Sequence, residues 1–174
     1  MPGNGIQDTH TGDAAAFFKL VSHPVKFRLF LLSRLPSAYF AGTRVRSISE
    51  SRSEVTIPYK WFSRNPFRST YFACLAMAAE MSTGVLALAH LYKLHPPVSM
   101  LVVGLEGKFF KKATGVTRFI CEDGNEIRGK IAAAIDTQEG QSIRAHSTGY
   151  NQEGEIVAEF YITWSFKQKT VRKP

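Results

Sequence analysis

A chain of 174 residues and 19.4 kDa, with 44% apolar and 21% charged side chains, has the composition of an ordinary globular domain. At this length roughly 70% of the unfolded surface can be buried, so one sizeable core is expected; disorder, collagen and coiled coil are excluded as descriptions of the whole. Basic side chains outnumber acidic ones by 22 to 14, for a net charge of +8. The excess is local, because residues 17–72 hold ten Lys or Arg against only Glu50 and Glu54. Such a segment suggests an anionic partner, whether a phosphorylated ligand, a membrane surface or nucleic acid, or else a plain solvated face. No nucleic-acid motif accompanies the charge, so that partner is not expected. Cys74 and Cys121 cannot build a disulfide framework and lack zinc-type spacing; a reducing cytoplasm fits best, with pairing of the two left open. The first sixteen residues are polar and small, and no secretory signal is read there.

Residues 1–12 predict a flexible start and 13–174 a single domain, with peripheral helices over 13–35 and the core over 36–174. Asp13 can cap a helix starting at Ala14, and Ser22 or His23 before Pro24 suits the start of a second helix over Val25 to Ser33. That second helix, apolar with Lys26 and Arg28 interspersed, could lie on a membrane surface; covering the domain's own core is the commoner fate and the one expected. Thr43 to Ser49 and Glu54 to Tyr59 alternate with period two across a polar turn and predict a β-hairpin.

Residues 73–91 are apolar nearly all round, and Glu80, Ser82, Thr83 and Gly84 in their middle argue against a membrane span. A helix wrapped by other structure is the expectation. Val98 to Phe110 and Gly115 to Ile120 read as strands joined by Lys111 to Thr114; Glu126 to Ile135 reads as a short helix. Gln141 to Tyr150 and Glu155 to Phe166 complete a last hairpin. About six strands around one buried helix make an α+β fold.

A carboxylate inside an apolar helix is costly unless paired or functional, and Glu80 is the only acid between Glu54 and Glu106. Burial raises its pKa, which suits a general base; the plainer alternative is a Glu bonded to a backbone amide or paired with an Arg. Asn65 lies fifteen residues before Glu80 in Asn65-Pro-Phe-Arg-Ser-Thr-Tyr-Phe-Ala73. This arrangement resembles the hotdog-fold acyl-CoA thioesterases of the phenylacetic-acid-degradation type. More closely, Pro58-Tyr-Lys-Trp-Phe62, Asn65-Pro-Phe67, Ala76 to Gly84 and Glu159 to Phe166 resemble a bacterial domain-of-unknown-function group whose members go by the name thioesterase. The likeness runs from Phe17 to Lys167.

The resemblance implies a hotdog fold, an antiparallel sheet wrapped around a central helix, and hydrolysis of an acyl thioester. Glu80 would act as base or nucleophile and Asn65 would hold water or the thioester. Backbone N–H groups of Phe72 and Ala73 would face the oxyanion. Family precedent points to Arg68, Lys111, Lys112 and Arg144 for the coenzyme A phosphates, coenzyme A being part of the substrate and not a cofactor. It also implies a homodimer or dimer of dimers, with Glu80 of one chain near Asn65 or Lys111 of the other. Each assignment has a plainer reading: Asn-Pro is a common turn former, and most Lys and Arg are surface charge. Tyr71-Phe72-Ala73 departs from the His-Gly-Gly of typical members, and Phe72 would obstruct close approach to the backbone. That departure favours the alternative function, a non-catalytic acyl-CoA or lipid binder. A hydratase would want an acid–His pair, but His90 and His95 fall at the far end of the helix. No metal-ligand spacing and no G-x-S-x-G elbow is present, so neither a metal site nor a serine hydrolase is expected.

Overall fold

The computed structural model describes residues 12–169, so the predicted flexible start lies, except for Gly12, outside the described residues. Two of the expected helices form where their caps stand. α1 spans Ala14–Ser22, with the Asp13 carboxylate accepting from Ala16 N–H at 3.0 Å. α2 spans Pro24–Arg34, with the His23 ring accepting from Lys26 N–H at 3.3 Å. A third helix, α3 at Pro36–Ala41, carries no periodic signal because it is only six residues long, and it stops at Gly42 in the left-handed region (φ 85°). The peripheral helices therefore run to Ala41, past the residue 35 expected from sequence.

Six strands follow: β1 (Arg44–Ile48), β2 (Ser53–Ile57), β3 (Val98–Phe109), β4 (Thr117–Cys121), β5 (Gln141–Tyr150) and β6 (Ile156–Gln168). They form one fully antiparallel sheet in the order β1-β2-β4-β5-β6-β3. The 110–116 link is thus no hairpin: it carries the chain from the β3 edge to β4, between β2 and β5. Helix α4 (Phe72–Leu91) lies against the sheet, and α5 (Gly124–Asp136) bridges β4 and β5. α4 is long and apolar enough to cross a membrane by length and composition, yet here it is the core helix. Ala78, Ala79, Leu86 and Ala87 are fully buried against Val55, Phe119, Ala145, Phe160 and Ile162 of the sheet. Small side chains let the helix sit close, and its two buried hydroxyls are satisfied. Ser82 Oγ reaches Ala79 O (2.7 Å) and Ser147 Oγ (2.7 Å), while Trp164 Nε1–H donates to Thr83 Oγ1 at 2.8 Å.

Cys74 and Cys121 are both buried free thiols, and burial pushes Cys121 up to about 12. At the far end of α4, buried His90 lies 3.1 Å from the Glu50 carbonyl in the β1–β2 turn, away from any acid–His pair with Glu80. The same turn meets the start of α5, where Gly124 touches Glu50 and Ser51 backbone so closely that a Cβ would collide with both. Backbone cannot swing aside as a side chain can. Gly124→Ala is therefore expected to destabilise the fold by about 1–3 kcal/mol, the usual cost of overpacking. Chemical denaturation should show a lower midpoint at unchanged slope.

Candidate active site

The central helix carries an acidic group that is partly buried with no visible support among the described residues. Glu80 is half-buried and lines a small cleft with Phe27, Phe30 and Leu31 of α2, Leu35 just after it, Leu88 of α4 and Met100 of β3. Its carboxylate makes no hydrogen bond and no ion pair with any described residue, so the paired or amide-bonded alternative does not occur among the described residues. Desolvation by these apolar neighbours holds its pKa above the ordinary value of 4.5. Gly84, one turn on, leaves room for the carboxylate: a Cβ there would stand 3.3 Å from Glu80 Oε1 and 3.3 Å from the Trp164 ring.

A second, larger cavity of about 810 Å³ opens at the other end, between the segment before α4 and the segment after β3. Asn65 organises its wall. Its Oδ1 accepts from Phe67 N–H (3.0 Å) and Ser69 N–H (3.2 Å), its Nδ2 donates to Ser69 Oγ (3.1 Å), and its carbonyl accepts from Arg68 N–H (3.2 Å). Arg68 takes a positive φ of 59° inside this turn. The loop is then pinned to the far wall, where Thr70 N–H and Oγ1–H both donate to Ala113 O (2.7 and 3.1 Å). Asn65 is thus a turn residue, as Asn-Pro predicts, and one Nδ2–H remains without a partner among the described residues.

α4 begins in this wall with no side-chain cap at Tyr71. The first N–H groups to find acceptors are those of Cys74 (2.9 Å) and Leu75 (3.2 Å), both onto Tyr71 O. Phe72 and Ala73 N–H therefore point out of the helix start with no partner among the described residues, as two orphan donors at the positive end of the dipole. The Phe72 ring leans on Tyr71 (4.9 Å between centroids) and stays 55% exposed on the cavity rim.

Of the basic residues expected here, Lys111 and Lys112 line the cavity and Arg68 and Arg144 do not. Lys111 is bonded to Glu155 (2.5 Å), whose carboxyl it draws below the usual range; Lys112 makes no ion pair with a described residue. Arg144 lies on the outer face of the sheet, bonded to Glu106 (2.6 Å) and stacked over the Tyr161 ring (3.7 Å). Arg64, Phe109 and Phe110 complete the lining and went unread in the sequence. Alternation along β3 does not mark Phe109 at its end, because a bulge shifts the register between Val102 and Gly104. Glu80 and Asn65 themselves line different cavities, so one chain does not bring them together.

β3 pairs only with β6, leaving its other edge without a strand among the described residues. Past the bulge, Leu105 stands opposite buried Ile162 and Phe109 opposite buried Ala158, so both face the helix side of the sheet. Leu105 is nevertheless 55% and Phe109 51% exposed. The concave face extends beyond what α4 of the same chain covers.

Comparison with known proteins agrees with this architecture. Three structures superpose well: a Pseudomonas aeruginosa protein of unknown function named a probable thioesterase, a Haemophilus influenzae thioesterase and a Silicibacter pomeroyi thioesterase family protein. The first has a TM-score of 0.71 at 19% identity, covering 84% of this chain and 97% of its own. The second has 0.60 at 13%, covering 83% and 92%, and the third 0.60 at 16%, covering 83% and 98%. At these identities the likeness concerns the fold, which is the hotdog. No curated protein matches the chain. The family profile described as Domain of unknown function (DUF4442) matches residues 26–166, from the second helix into the last strand, and the chain belongs to that family.

Proposed function

We propose that this protein hydrolyses acyl thioesters, with Glu80 as general base. The observation that carries the reading is Glu80 itself: a desolvated carboxylate on the core helix, above its ordinary pKa, with no partner among the described residues. Names of the structural neighbours point the same way. In the reaction Glu80 takes a proton from water, and the resulting hydroxide adds to the thioester carbonyl. The oxyanion is met by the Phe72 and Ala73 N–H groups; the C–S bond then breaks and the thiolate leaves with a proton. Since Glu80 and Asn65 line separate cavities, the working site needs both halves from two chains. A second copy on the exposed β3 edge would supply the missing half, and a homodimer is the assembly proposed.

The 810 Å³ cavity suits a ligand with an apolar arm and an anionic end: Phe67, Phe72, Phe109 and Phe110 give apolar walls, and Arg64, Lys111 and Lys112 supply positive charge. Coenzyme A esters have this chemistry. Hydrolysis of a panel of acyl-CoA esters, read as free thiol, tests the reading. Binding of the esters without any thiol release would favour the binding-only alternative, for which Phe72 at the helix start speaks.

Two substitutions separate roles at this end. Asn65→Asp keeps the acceptor that the Phe67 and Ser69 amides use but removes both Nδ2 donors. It should leave thermal stability nearly unchanged while kcat falls about tenfold or more, the scale of one lost positioning hydrogen bond. Lys112→Glu should raise KM for coenzyme A esters about tenfold with kcat retained. It should spare thioesters of N-acetylcysteamine, which carry no phosphate.

A further inference from the structure

Residues 14–49 contain no Asp or Glu, while they carry Lys19, Lys26, Arg28, Arg34, Arg44 and Arg46. The same stretch exposes apolar side chains in an ordered way. Val25, Leu29 and Leu32 of α2, at i, i+4 and i+7, form one outward stripe and are 59, 59 and 40% exposed. α3 adds Phe40, whose ring lies 5.9 Å from that of Phe62, which in turn lies 6.2 Å from Trp61. Trp61 is 76% exposed, an unusual position for the largest side chain, and Lys60 and Arg64 bracket the pair in sequence. Lys26 and Arg34, flanking the α2 stripe, make no side-chain hydrogen bond or ion pair with described residues.

An apolar stripe with Trp and Phe beside it and cations at its margins is the pattern of an element lying in a bilayer interface. We propose that the face built by α2, α3 and the short Trp61–Ser63 turn docks on an anionic phospholipid surface. Charge decides the occupant. A second copy would set one basic, carboxylate-free face against another, whereas anionic headgroups neutralise it. Glu80 lies on the core-facing side of α2, in a cleft with Phe27 and Leu31, away from the exposed stripe. This docking does not depend on the hydrolase reading.

The full chain contains its own reporter. Trp164 is buried (4% exposed) and bonded to Thr83, so only Trp61 can respond to lipid. With vesicles of equal phosphatidylcholine and phosphatidylglycerol, the protein should float with the lipid and its tryptophan emission should move to the blue. Vesicles of phosphatidylcholine alone, or high salt, should weaken both effects. Trp61→Phe should lose the spectral shift. Leu29→Ser with Leu32→Ser, both exposed and in neither cavity, should lower partitioning about tenfold or more with circular dichroism and hydrolysis of a short soluble thioester unchanged. Three results would overturn the proposal: no flotation with an unshifted Trp61; flotation that ignores the Leu pair; or a mass in solution that falls when the Leu pair is replaced, which would make this face an interface between copies.

Discussion

Glu80→Gln is expected to raise the melting temperature at neutral pH while lowering thioester hydrolysis at least about a hundredfold, the scale of a lost general base. The two effects share one cause. In the native chain the carboxylate is desolvated by Phe27, Leu31 and their neighbours and has no compensating partner among the described residues, so its charged form is disfavoured and its pKa is raised. A group whose native pKa lies above its unfolded value costs stability once both states are ionised. That cost is complete at alkaline pH, shrinks as pH falls through the native value, and is absent below the unfolded value of 4.5. The Gln variant, neutral throughout, should therefore be the more stable protein at pH 8 and no more stable than wild type below pH 4.5. Thermal melts of both proteins across this range check the sign. A carboxylate kept for structure would behave in the opposite way: its removal would lower stability and spare turnover. An active Gln variant would overturn the catalytic role.

How far this site was legible from sequence differs by element, for physical reasons. Glu80 stood out because hydropathy changes abruptly at one position of a uniformly apolar helix. The burial of α4 followed from the same uniformity, since no solvent-facing stripe exists for a surface helix to use. β5 and β6 were marked by alternation on either side of Asn151-Gln-Glu-Gly154, a turn sequence. α3 was not marked, because six residues cannot show a helical period. The order of strands was hidden too: nothing local tells that β3 leaves its chain neighbour β4 for the far edge, which is a matter of tertiary pairing. Among the basic residues, spacing could not separate Lys112, on the cavity wall, from Arg144, held on the outer face by Glu106 and Tyr161. Asn65 carries a resemblance to a chemical role, yet its carboxamide first shapes the loop that carries the helix start.

The second large effect concerns the β3 edge. Leu105→Asp, combined with Leu101→Asp on the other face of the same strand, is expected to split the proposed dimer and to lower turnover about a hundredfold while each chain stays folded. Both side chains are already in solvent within one chain, at 55 and 65% exposed, so the substitutions remove no contact from the core. Their cost falls on whatever covers them. A twelve-residue strand with an open edge and apolar side chains on both faces is prone to pair with a second strand unless charge prevents it, and Glu106 and Lys108 stand only at its later end. Two carboxylates placed along the edge would sit against their own copies across a two-fold axis, where like charges repel and lose water together. Glu80, with Met100 at the start of β3 in its cleft, would then be parted from the partner's half of the site, whose wall includes Phe109 at the end of the same strand. Light scattering should report twice the chain mass for wild type and one chain for the variant. Mixing the inactive Asp variant with Glu80→Gln should restore nothing, since the first cannot pair and the second lacks the base. Glu80→Gln mixed with Asn65→Asp, by contrast, should recover part of the wild-type rate through heterodimers that carry one intact site. A wild type that is monomeric and active would refute the shared site.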